Sequence, residues 1–258
     1  MPIAAGIHYF LHEGGKPTKP PLILIHGAGG DHLSWPPEIR RMAAGSVFSI
    51  DLPGHGKSEG PGRQSVAEYA DSVIGFMNAS GLSRAVVIGH GLGGAIALTI
   101  AIDHPERAAG VVLISTGPRL PVSSSVLENA ANPATILQAI HSLQNQMGIP
   151  QGAKHVSDHS FRRLSSIRPT LFLGDLRACA QFDVTSRLDD IQTPVLVLCG
   201  TDDQLVPRFH SEKLAGKIPG AALQTVEDAG HLVMLEQPRR VAALLSVFLT
   251  TIPYTPGT

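Results

Sequence analysis

Ala85-Val86-Val87-Ile88-Gly89-His90-Gly91-Leu92-Gly93-Gly94-Ala95-Ile96-Ala97-Leu98-Thr99-Ile100-Ala101-Ile102 is the stretch on which the fold turns. Four apolar residues rich in Val and Ile stop at a glycine-rich turn, and a longer run, apolar almost all round, starts directly after it. The first run reads as a buried strand and the second as a helix packed against the sheet. The same alternation extends in both directions. Residues 21–25, 46–50, 110–115, 194–199 and 222–226 are further short apolar runs, each closed by glycine or another turn former. A mostly parallel sheet with helices on both faces is the fold class expected. Residues 7–11 are expected to add an antiparallel edge strand, joined to the next by the short Gly- and Pro-rich stretch 13–20.

Helix ends are legible outside that stretch. Ser65 with Glu68 forms a capping box, Tyr69, Val73 and Met77 follow on one face, and Gly81 stops the pattern. A last helix begins near Pro238 with Val241, Leu244, Leu245 and Phe248 on its inner face. The alternation breaks between Arg119 and Leu188, about seventy residues with helical patterns and no convincing strand, longer than an ordinary connection. The reading is a core of residues 1–118 and 189–258 with a helical cap, 119–188, inserted into it. Within the cap, Asn132-Pro133 opens a helix with Ile136, Leu137, Ile140 and Leu143 as its buried stripe, and two more helices are expected at 160–167 and 171–182.

Composition narrows the function. The 258 residues carry 20 Lys plus Arg and 21 Asp plus Glu, a formal net charge of −1, so no basic field draws nucleic acid or an acidic membrane. With 43% hydrophobic residues the chain can bury a large core, and no apolar run reaches the ~20 residues of a membrane span. Two cysteines, Cys179 and Cys199, make no disulfide framework and the start resembles no signal peptide, so a cytoplasmic protein is expected.

The chemistry-bearing residues gather at strand ends, where an open parallel sheet binds its ligands. They are His26-Gly27-Ala28-Gly29-Gly30, Asp51-Leu52-Pro53-Gly54-His55-Gly56-Lys57-Ser58, the turn around Gly91, Gly200-Thr201-Asp202-Asp203, and Gly230-His231. Taken in order, these motifs resemble the α/β-hydrolase fold family from about residue 21 to 249. The resemblance implies a cofactor-free hydrolase of small, largely apolar carboxylic esters, thioesters or lactones, working through nucleophile, acid and histidine in that order. It places the nucleophile at Gly91, the acid at Asp203 and the base at His231. Asp202 is the competing acid. The same resemblance assigns the oxyanion donors to the backbone N–H groups of Ala28 and Leu92. His26, Trp35 and His90 are candidate pocket residues, with loop organisation the stronger reading for His26. For His55 and its loop a tight structural turn is favoured over catalysis.

The departure is at the centre of the pattern, because glycine has no side chain with which to attack. A hydrolase crippled at one position is therefore expected, and a single base change can turn a serine codon into a glycine codon. Two other classes stay open: a non-catalytic binder or sensor of a small ligand, and an enzyme in which His231 and Asp203 abstract a proton directly. A nucleotide-binding oxidoreductase is the remote reading, since Gly89-x-Gly91-x-x-Gly94 between strand and helix fits the dinucleotide pattern, yet the next strand ends in Ser115-Thr116 without the acid such sites use. His155 and His159 share a helical spacing without a third ligand, so no metal is expected.

Overall fold

The computed structural model describes residues 2–14 and 19–253, so positions 15–18 of the connection read at 13–20 lie outside the described residues. Among the described residues eight strands, β1 (Ile3–Ala4), β2 (Ile7–Glu13), β3 (Leu22–Ile25), β4 (Ser46–Ile50), β5 (Ala85–His90), β6 (Ala108–Ile114), β7 (Val195–Gly200) and β8 (Ala222–Val226), form one sheet in the order β1-β2-β4-β3-β5-β6-β7-β8. All pairings from β4 to β8 are parallel, while β2 runs antiparallel to β4 and β1 antiparallel to β2. The edge is therefore β1 and not the strand read at residues 7–11. The positive φ angles of Ala5 and Gly6 fold the first residues back as a tight hairpin over it.

Every residue of β3, β5, β6 and β7 is buried, as strands covered on both faces must be. Alternate side chains divide between two cores. Ile23, Ile25, Val87, Val111 and Leu113 face one, and Leu22, Leu24, Val86, Ile88, Val112 and Ile114 face the other.

Among the described residues ten α-helices accompany the strands: α1 (Pro37–Arg40), α2 (Val66–Ala79), α3 (Leu92–Asp103), α4 (Ser124–Ala131), α5 (Ile136–Gln146), α6 (Lys154–Ser166), α7 (Pro169–Gln181), α8 (Phe209–Lys217), α9 (Val233–Glu236) and α10 (Pro238–Thr250). The buried residues of α2 and α3 belong to the first core, and those of α1 and α10 to the second. The capping box of Ser65 and Glu68 is present, and α3 is buried from Leu92 through Ile102. None of the described helices is long and apolar enough to cross a membrane.

Between β6 and β7 the chain forms α4 to α7. Its two ends meet, with Val184 N donating to Pro118 O at 3.0 Å and Arg119 bridging to Asp183. Two details differ from the sequence reading. Helix α4, capped by Ser123 accepting from Val126 N at 3.3 Å, is an additional element. Leu137 is 51% exposed, because Ile136, Ile140 and Leu143 at i, i+4 and i+7 define the inner face of α5 and Leu137 lies on its shoulder.

Candidate active site

Gly91 is the single residue between β5 and α3, with φ 51° and ψ −113°. Both of its backbone groups are fixed: its N–H donates to Ile114 O at 3.0 Å, and its carbonyl accepts from Thr116 Oγ1 at 2.9 Å. A residue held this way points its side chain out of the turn. A Cβ placed on Gly91 would lie 3.7 Å from His231 Nε2 and 3.9 Å from Gly27 Cα, with nothing nearer beyond its chain neighbours.

The loops after β7 and β8 bring the other two residues there. His231 Nδ1 stands 2.9 Å from Asp203 Oδ2, while Asp203 Oδ1 accepts from Leu205 N at 3.0 Å and Val206 N at 2.9 Å. Asp202 makes no such contact; its backbone N–H donates to Ala229 O. With Nδ1–H committed to the carboxylate, Nε2 presents its lone pair toward Gly91, the arrangement a general base needs. The C-terminal end of α5 holds both loops in place. His231 N donates to Met147 O at 2.6 Å and Gln204 N to Gln146 O at 3.1 Å. Gly148, at φ 64°, passes so close to Asp202 O that a Cβ would collide with it.

The N–H groups of Ala28 and Leu92 donate to no group among the described residues, and both residues line the cavity that opens on Gly91. Its walls are mainly apolar: Leu143, Leu164, Phe172 and Leu176 from α5 to α7 meet Val206 and Leu232 from the sheet side. His90 also lines it, its ring centroid 4.7 Å from that of His231 and its Nε2 donating to His231 O at 3.0 Å. The other two pocket candidates do not. Trp35, fully buried, packs in the core with Ile39 and Met42, the usual destination of so large an apolar surface. His26 is equally buried and holds two loops together, donating from Nδ1 to Gly27 O at 2.8 Å and accepting from Leu52 N at Nε2 at 3.0 Å.

That bonding requires a neutral His26 ring. Burial, reinforced by the nearby His55 charge, pushes its pKa from 6.5 down to about 4. The unfolded chain takes up this proton below pH 6.5 while the folded chain does not, so the contribution to stability is lost as pH falls from 6.5 toward 4. His26→Gln is expected to flatten part of that slope, read as the free energy of urea unfolding at a series of pH values.

Sequence reasoning missed Asp175, fully buried in α7. Its carboxylate accepts from Gly29 N at 2.8 Å, His55 Nε2 at 2.8 Å and Tyr69 Oη at 2.6 Å. One side chain of α7 therefore joins the loop after β3, the loop after β4 and helix α2. His55 also directs Nδ1 at Pro53 O, 3.1 Å away. Burial opposes charge on both partners, yet the Asp175 carboxylate raises the His55 pKa and the His55 ring lowers that of Asp175. The pair is held as imidazolium and carboxylate. A second buried set, His8, His32 and Asp51, brings three potential metal ligands together. Both rings donate Nδ1–H to Asp51, at 2.7 and 2.9 Å, and the backbone N–H groups of His32 and Lys57 complete its acceptor sites. These contacts make it a hydrogen-bonded loop anchor. His155 and His159 are exposed on α6, the latter at the cavity mouth.

Residues 20–238 match the family described as alpha/beta hydrolase fold. The chain is 30% identical over 256 residues to "Putative carbamate hydrolase RutD" of Caulobacter vibrioides, covering 95% of each chain. It is 30% identical over 262 residues to 2-hydroxymuconate semialdehyde hydrolase of Pseudomonas putida, covering 96% of this chain and 92% of that one. A solved thermophilic esterase from Thermogutta terrifontis superimposes with a TM-score of 0.85 at 25% identity, covering 96% and 94% of the two chains. These relatives are named as hydrolases or esterases. The family match spans most of the chain and the similarity to these relatives runs nearly end to end, so this chain belongs to the alpha/beta hydrolase fold family.

Proposed function

We propose that the site is that of a hydrolase of small, largely apolar carboxylic esters, thioesters or lactones, in which the covalent route is closed at Gly91. His231 is the base, Asp203 orients it, and the N–H groups of Ala28 and Leu92 hold the oxyanion. The observation that carries this reading is the 3.7 Å from the Cβ direction of Gly91 to His231 Nε2, which leaves room for a side-chain hydroxyl within hydrogen-bond reach of the base. Residues 119–188 act as a cap that roofs the reacting group and keeps bulk water out. The cavity, about 120 Å³, suits a small acyl group, since ~150 Å³ holds a benzene-sized guest.

Covalent labelling tests the assignment without depending on a substrate. Gly91→Ser is expected to take up one equivalent of a fluorophosphonate, found on Ser by peptide mass mapping, because a nucleophile beside its base reacts with such probes. The unmodified chain should not be labelled, and His231→Ala in the Gly91→Ser background should lose the reaction. A folded Gly91→Ser chain that takes up no probe and turns over no ester, thioester or lactone would make the protein a small-ligand binder instead.

A further inference from the structure

We propose that the unmodified Gly91 site itself hydrolyses activated carboxylic esters by direct attack of a water molecule held by His231 Nε2, with no acyl-enzyme. The proposal rests on the assignment of His231 and the oxyanion donors above and extends it to the residue that stands at position 91.

Three observations carry it. Apart from the adjoining residues His90 and Leu92, the Cβ direction of Gly91 meets no heavy atom closer than 3.7 Å, so the glycine leaves open the place in front of the base that a side chain would fill. The hydrogen bond from His231 Nδ1 to Asp203 fixes the tautomer whose lone pair faces that place, and Asp203 is itself held by two backbone N–H groups. The cavity wall beyond it is largely Leu, Val and Phe, so the acceptors offered to a water there are few, and His231 Nε2 is the ring nitrogen nearest the Cβ direction of Gly91. Loss of a serine does not remove the base, its orienting acid or the donors for the carbonyl oxygen. It changes which oxygen can reach the carbonyl carbon.

The chemistry balances without a co-reactant. A lone pair of the water oxygen forms the bond to the ester carbonyl carbon as His231 Nε2 takes a proton from that water. The carbonyl π pair moves to oxygen, which accepts from the N–H groups of Ala28 and Leu92. Collapse of this tetrahedral adduct restores the carbonyl and breaks the bond to the leaving oxygen, which takes the proton from His231. The products are acid and alcohol, and the protein is unchanged. Activated esters with aryl or enol leaving groups are the fitting substrates, since their departure needs little help from the general acid.

The experiment uses the full chain and 4-nitrophenyl acetate. Hydrolysis above buffer is expected, linear from the first turnover, with no acetyl adduct by mass spectrometry of acid-quenched samples. His231→Ala should lower it by about 10²-fold or more, the usual contribution of a general base. Gly91→Ala should lower it comparably, because the methyl group occupies the water's place. That variant strains the backbone at φ 51°, so its folding is checked by thermal melting, and His231→Gln supplies a second variant outside the turn. Equal activity in the Gly91, Gly91→Ala and His231→Ala chains would overturn the proposal, and so would an acetyl adduct on the unmodified chain or no hydrolysis above buffer. Gly91→Ser separates the failures. If it forms an acyl adduct and turns over while the Gly91 chain does nothing that depends on His231, direct water attack falls and the hydrolase assignment stands. If neither chain acts, both fall.

Discussion

Gly91→Ser is expected to raise kcat for activated aryl esters by at least about 10²-fold, with a pre-steady-state burst that the unmodified chain lacks. Removing the nucleophile from a serine hydrolase of another fold costs about 10⁶-fold in kcat, while oxyanion stabilisation and binding alone retain about 10³–10⁴-fold over water. If His231 already drives water in the glycine chain, the gap narrows by the 10²–10⁴-fold that a general base contributes; if it does not, the gain approaches 10⁶-fold. The same substitution should destabilise the fold. A non-glycine residue at φ 51° and ψ −113° carries about 1–3 kcal/mol of backbone strain, a substantial part of the ~5–15 kcal/mol that holds a domain together. More activity with a lower melting temperature is the paired outcome, read from stopped-flow kinetics and thermal unfolding of the same sample. A gain without a burst would argue against a covalent route.

Asp175→Ala is expected to be the most destabilising single change near the site, by about 3–5 kcal/mol, because removing one partner of a buried ion pair leaves the other charge uncompensated. Three donors, Gly29 N–H, His55 Nε2–H and Tyr69 Oη–H, lose their acceptor together. The effect has a pH signature. The His55 pKa is raised in the folded state, so its contribution is full below the ordinary 6.5 and is lost as pH rises through the folded value. The Asp175 pKa is lowered, so its contribution is present above the ordinary 3.8 and is lost as pH falls through its folded value. The stability gap between the native chain and Asp175→Ala should therefore be widest between those limits and shrink on either side. A gap independent of pH would mean that the side chain contributes packing alone. Asp175→Asn, which keeps one acceptor oxygen, should lose less stability than Ala.

Much of this architecture was legible because its signals are local. The strands of the parallel sheet are short apolar runs closed by turn formers, and the cap of α2 is written in Ser65 and Glu68. The turn at Gly91 was readable from the residues on either side of it. Other features depend on distant contacts. Trp35 sits in a loop beside chemically suggestive residues, yet its place is decided by the core between the sheet and the helices α1 and α10. The additional strand β1 is two residues long, too short for any periodicity to appear. Asp175 left a usable signal. It stands at i+4 from Leu171 and four before Cys179, on the apolar stripe of α7, where a carboxylate is a polar group that must find buried partners. Which partners it finds, 120 and 146 residues away at His55 and Gly29, no local pattern can say.

Among the contacts that fasten the helical segment between β6 and β7 to the sheet's loops are those of Asp175 on one side and those of the Gln146 and Met147 carbonyls on the other. This bears on transplantation and on drift. A graft carrying a different relative's segment 119–188 would bring new walls for the cavity and, unless it also carried a carboxylate at the place of Asp175 and two carbonyls at the end of α5, would leave the loops of His231 and Gly29 without their anchors. Changes that reshape the cavity are thereby directed to positions such as Leu143, Leu164 and Leu176, whose apolar side chains touch it and make no hydrogen bond. Inheritance can vary the upholstery of this segment freely, but its rivets must pass from parent to offspring together.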